Sequence, residues 1–108
     1  MRMSKFMRIM VFFDLPVVTA EKRRTYSRFR KFLINDGYVM LQLSVYSRIC
    51  NGLDAANTHI KRLKQCVPAE GSVRYMIVTE KQYASMGILV GGKKPKEKKQ
   101  NSNQISFL

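Results

Sequence analysis

The feature that constrains this chain most is the uninterrupted apolar run Ile9 to Phe13, which sits inside the stretch Met7 to Phe13 and ends in Asp14-Leu15-Pro16. The stretch is short, rich in aromatic and branched residues, and closed by a turn signal. It predicts a central strand buried on both faces. A helix is expected next. Thr19 is placed to cap it, Glu21 suits the positive end of its dipole, and Gly37 is a natural stop. Tyr26, Phe29 and Leu33 recur at spacings of three and four and share one face, which Phe32 widens.

Tyr38 to Ile49 reads as a hairpin, with Gln42 marking the turn. Leu43, Val45 and Ser47 would point one way and Ser44 and Tyr46 the other. Residues 53–66 carry Leu53, Ala56, Ile60 and Leu63 at helical spacing, ended by Pro68 and Gly71. Val73 to Thr79 reads as a strand, Lys81 to Met86 as one helical turn, and Ile88 to Val90 as a short final strand. The order β-α-β-β-α-β with right-handed crossovers gives an α+β, ferredoxin-like sandwich: one antiparallel sheet with two helices on one face. The other sheet face must be covered or wet. With Tyr46 and other strand residues assigned to it, that face is partly apolar and predicts a homodimer.

The composition of the 108 residues shifts near Gly91. Residues 1–92 are expected to form the folded domain. Residues 93–104, KKPKEKKQNSNQ, hold five Lys and one Glu and read as a linker. Ile105 to Leu108 are apolar again and read as a partner-binding tail strand, with Ile105, Phe107 and Leu108 as the contact residues. The apolar runs are far too short to span a membrane, and the N-terminus carries no signal-peptide pattern, so a cytoplasmic protein is expected. Cys50 and Cys66 make no disulfide framework, and with His59 they supply only three zinc donors without a C-x-x-C pair. No nucleotide-binding glycine loop is present.

Lys and Arg number 20 against 7 Asp and Glu, a net charge of +13. Six of those cations, Lys22, Arg23, Arg24, Arg28, Arg30 and Lys31, fall in the first helix with no acid among them. Arg24, Arg28 and Lys31 form one stripe; Arg23 and Arg30 form its neighbour. Like charges at i,i+4 repel by about 0.2–0.5 kcal/mol per pair. A face that serves solubility alone usually mixes signs, so the stripes point to a polyanion, with Arg23, Arg24, Arg28 and Lys31 as phosphate contacts.

Three blocks, IMVFFDLP at 9–16, GYVMLQLSVYS at 37–47 and VTEKQY at 78–83, together resemble the Cas-two family, the small CRISPR-associated adaptation subunit. The polar linker and apolar tail resemble the subtype that works beside a Cas-nine effector. The resemblance implies a symmetric dimer flanked by two dimers of the Cas-one integrase, with duplex prespacer DNA across the assembly. It also implies a second possibility, since family members have been credited with metal-dependent nuclease activity on RNA or DNA. Asp14, at the end of the first strand, is then the metal ligand and catalytic carboxylate, and a two-fold axis would pair it with a second Asp14 around Mg²⁺. Read from the residues alone, Asp14 simply ends the strand before Pro16, and no His or Lys general base stands beside it in the sequence. Two uses are open to Tyr46, packing across the dimer face or stacking on a base, and two to Ser44, bonding a phosphate or satisfying nearby backbone.

Overall fold

A computed structural model describes residues 5–92. The tail contacts expected at Ile105, Phe107 and Leu108, and the linker before them, lie outside the described residues. Within them the elements run β1 (Phe6–Asp14), α1 (Ala20–Asn35), β2 (Val39–Gln42), β3 (Val45–Asn51), α2 (Leu53–Cys66), β4 (Ser72–Thr79) and α3 (Glu80–Ala84). The four strands form one antiparallel sheet in the order β2-β3-β1-β4. This is the expected ferredoxin-like α+β arrangement, with β1 inside the sheet and Ile9, Met10 and Val11 buried on alternate faces.

The periodicities explain the layers. On one sheet face Ile9, Val11, Phe13, Tyr46 and Cys50 meet Phe29 and Leu33 of α1 and Ala56, Ile60 and Leu63 of α2. Phe13 sits edge-on to Phe29 with ring centroids 5.2 Å apart, and to Tyr26 at 6.0 Å. Thr19 caps α1 as its sequence position requires, its hydroxyl accepting from Lys22 N–H at 3.1 Å. Gly37 follows the helix at φ +93°, a conformation that L side chains rarely adopt.

Two buried charge clusters hold the layers in register. At the end of α1 the Asp36 carboxylate, 6% exposed, accepts from Arg62 at 2.6 Å and pairs with His59 Nδ1 at 2.9 Å, which ties α1 to α2. On the other sheet face Arg8, fully buried, donates to both Glu80 oxygens at 2.8 and 3.2 Å, and its guanidinium lies 4.1 Å from the centre of the Tyr83 ring. This holds α3 against the sheet. A Thr79–Gln82 capping box starts that short helix.

The structure corrects three expectations. The hairpin turns at Leu43–Ser44, just past Gln42, because a bulge between Met40 and Gln42 shifts the register. Tyr46 does not lie on the open sheet face. It pairs with Val11 and points into the helix-side core, wholly buried, while Val45 and Ser47 take the other face. The argument for a dimer therefore cannot rest on Tyr46. Ile88 to Val90 form no strand; they border a groove on the second sheet face with Met10, Phe12 and Val45, and Leu89 and Val90 are almost fully exposed. A strand needs a neighbouring backbone, and this segment pairs with none among the described residues.

Candidate nucleic-acid interface

α1 buries Phe29 and Leu33 and turns its cations away from them. Arg23, Arg24, Arg28, Arg30 and Lys31 are all exposed; Lys22 is half-buried. Arg23, Arg24, Ser27 and Arg28 line one shallow groove on the helix, and Arg28 and Lys31 border a second together with Phe32 and Cys66. The structure thus brings the four residues singled out by sequence onto one exposed helix surface.

Their tethers differ. Lys22 reaches Glu70 at 3.8 Å, an ion pair too long and exposed to matter much. Arg23 donates to the Val17 carbonyl at 3.1 Å, which sets it beside the β1–α1 loop. Arg30 donates through Nε to the Tyr46 hydroxyl at 2.8 Å. Arg24, Arg28 and Lys31 have no hydrogen bond or ion pair among the described residues. The row is therefore positive, uncompensated and open to solvent, suited to the oxygens of a polyanion. Sequence reasoning placed Arg30 beside Arg23 in the second stripe without naming it a phosphate contact. Its link to Tyr46 depends on the sheet register, which no local spacing reveals.

Asp14 is exposed at the end of β1, opposite Ser72 of β4. The closure there is tight: a Cβ on Gly71 would lie 2.7 Å from the Asp14 carbonyl oxygen and from Leu15 Cδ2, so only glycine fits, at φ +94°. Ser44 contributes its carbonyl to Phe13 N–H at 3.0 Å, a backbone role beside the same strand end. No group of three or more His, Cys, Asp or Glu able to hold a metal occurs among the described residues. Asp14 offers one carboxylate, and Mg²⁺ takes one or two together with waters and phosphate oxygens. Cys50 is buried, and burial pushes its thiol pKa up. His59 Nδ1 is engaged with Asp36 at 2.9 Å.

Fold and surface together define a small α+β protein with a ferredoxin-like sheet and one strongly cationic helix. The profile of the family described as "CRISPR associated protein Cas2" matches residues 7–86. A protein of Acidovorax ebreus named "CRISPR-associated endoribonuclease Cas2" is 59% identical over 101 residues, covering 94% of this chain and 99% of the relative. Relatives of the same name in Ligilactobacillus salivarius and Campylobacter jejuni are 45% and 43% identical, over 94% and 96% of this chain and 100% and 73% of theirs. The crystal structure of Streptococcus pyogenes Cas2 at pH 6.5 superposes with a TM-score of 0.57 at 22% identity, covering 77% of this chain and 99% of that one, which supports the fold. This chain belongs to the CRISPR-associated Cas2 family, proteins of CRISPR adaptation. No helix among the described residues is long and apolar enough to cross a membrane.

Proposed function

We propose that this chain is the non-catalytic centre of a spacer-acquisition complex. A homodimer bridges two dimers of the Cas-one integrase and rests the duplex prespacer on the cations of α1. The observation that carries this reading is the exposed row Arg23, Arg24, Arg28 and Lys31, which forms no ion pair among the described residues, the long Lys22–Glu70 contact lying beside it. The spacing of the integrase pairs then follows from rigid-body geometry and requires no chemistry in this subunit. Support for the dimer comes from the second sheet face, where Met76 is exposed beside Met10 and where Ile88, Leu89 and Val90 are exposed around a groove lined by Met10, Phe12 and Val45. In this reading Ile105, Phe107 and Leu108 engage the integrase or the second protomer, as in the subtype that accompanies a Cas-nine effector. Light scattering after sizing tests the assembly, with the integrase and with or without duplex. A dimer that recruits integrase and gains mass with duplex is expected. A monomer that elutes apart from the integrase contradicts the reading.

A second reading has one specific support: relatives up to 59% identical carry the name endoribonuclease. Paired Asp14 carboxylates from two copies would then hold Mg²⁺, which supplies a polarised phosphate and an activated water for phosphodiester hydrolysis. This chain's part would be to place Asp14 at the exposed strand end, fixed by the Gly71 closure. Asp14→Ala separates the readings. A scaffold supports spacer integration unchanged; a required nuclease loses it.

A further inference from the structure

We propose that Arg30 is a preset fork for a nucleic-acid phosphate and that Tyr46 is the residue that positions it. This rests on the reading of α1 as a phosphate-binding surface and gives a role to Arg30, which the stripe argument includes without naming it a phosphate contact.

Arg30 stands seven residues after Arg23, about 10 Å further along the helix at 1.5 Å per residue. Its Nε donates to the Tyr46 hydroxyl at 2.8 Å. Tyr46 is wholly buried in β3, paired with Val11, and packed on Phe13 with ring centroids 5.6 Å apart. The acceptor is therefore fixed by the core, and the guanidinium hangs from an anchored point while remaining exposed. A guanidinium presents five N–H donors in a rigid plane. Tyr46 occupies the Nε–H. The terminal nitrogens have no partner among the described residues, and the edge between them suits two oxygens of one phosphodiester. Arg24, Arg28 and Lys31 carry charge without such an anchor. Arg30 has already lost part of its rotamer freedom, so it orders less on binding than they do.

A carboxylate of a partner protein would fit the same edge. Phosphate is favoured because the fork stands on the helix that carries five other cations, a field suited to a polyanion.

The test is binding of a labelled DNA duplex across a salt series by wild type, Arg30→Ala, Tyr46→Phe and the double variant. Tyr46→Phe keeps the ring in the core and removes only the hydroxyl. Arg30→Ala is expected to weaken binding roughly tenfold at about 100 mM salt and to lower the salt slope by about 0.9. Tyr46→Phe should weaken it about threefold with the slope unchanged, because the same charge is delivered less well ordered. The double variant should match Arg30→Ala. Arg30→Lys, a surface change, keeps the charge without the fork. It should weaken binding about threefold with the slope unchanged, a readout that stands if Tyr46→Phe folds poorly. Wild-type affinity in either Arg30 variant overturns the proposal, as do losses from Arg30→Ala and Tyr46→Phe that simply add. A wild-type protein with no salt-dependent duplex binding removes the α1 reading as well, so the two failures are told apart.

Discussion

Arg8 and the arginines of α1 lie in different layers of the same small domain and meet opposite treatment. Arg8 is fully buried, and the chain supplies Glu80 and the Tyr83 ring to compensate it. Asp36 is handled in the same way, buried and answered by His59 and Arg62. On α1, Arg24, Arg28 and Lys31 stand exposed with no carboxylate within ion-pairing distance among the described residues. With 7 acids against 20 bases, the chain places its acids selectively. Glu80 goes where the fold would otherwise bury the Arg8 charge, and His59 and Arg62 go where it buries Asp36; on the proposed function, α1 finds its counter-charge in another molecule. On the proposed function, structural and binding cations are told apart by whether the chain neutralises its own charge.

That contrast is open to attack from both sides. Glu80→Ala strands Arg8 without its carboxylate, and breaking a buried pair in this way costs about 3–5 kcal/mol. The melting temperature should fall by about 12 °C or more in a domain of this size. An unchanged melt would show that the pair does not hold α3. The triple change Arg24→Glu, Arg28→Glu, Lys31→Glu should do the reverse. Thermal stability should change by no more than a few tenths of a kcal/mol per pair, because the three glutamates repel one another at the same spacings as the cations they replace, while duplex affinity drops by about a hundredfold or more. A marked loss of stability there would make the stripe structural and erase the contrast. Asp36→Ala, which removes the seam between α1 and α2, should lower stability by about 1.5–2 kcal/mol in urea titration and leave the salt slope of binding unaltered.

The smallest effect is alkaline. Burial raises the pKa of the Cys50 thiol and of the Tyr38 phenol, so the folded protein holds both protons more tightly than the unfolded chain. Their contribution is complete below the ordinary thiol value of about 9 and is lost as pH rises through the folded values. The urea midpoint should therefore fall as pH rises above about 9, and Cys50→Ala should flatten the first part of that fall. A midpoint that rises with pH would contradict it.

Much of this was legible in the residues. The Met7–Phe13 run, the Thr19 cap, the spacing of Tyr26, Phe29 and Leu33 and the α2 repeat each report a local period or a local bond, and the structure follows them closely. The cationic stripe was legible for the same reason, since helical spacing alone aligns Arg24, Arg28 and Lys31. What local pattern did not reveal were the relations between elements. The bulge at Met40–Gln42 moved the turn to Leu43–Ser44. In β3, Tyr46 and Ser47 are both fully buried, so alternation did not indicate which of them meets the helices. The Tyr46–Arg30 bond and the Arg8–Glu80 pair join residues 16 and 72 positions apart, and neither has a sequence signature. Asp14 was legible as a strand terminus, and its exposure fits that role as well as a ligand's.

The most direct test of the central claim is the salt dependence of duplex DNA binding by the wild-type chain and by its Arg24, Arg28, Lys31 triple glutamate variant. The account predicts a straight, steep line of log affinity against log salt for the wild type. The slope should become shallower by about 0.9 for each phosphate contact removed in the variant. A flat wild-type line, or the same steep line in both proteins, would contradict it.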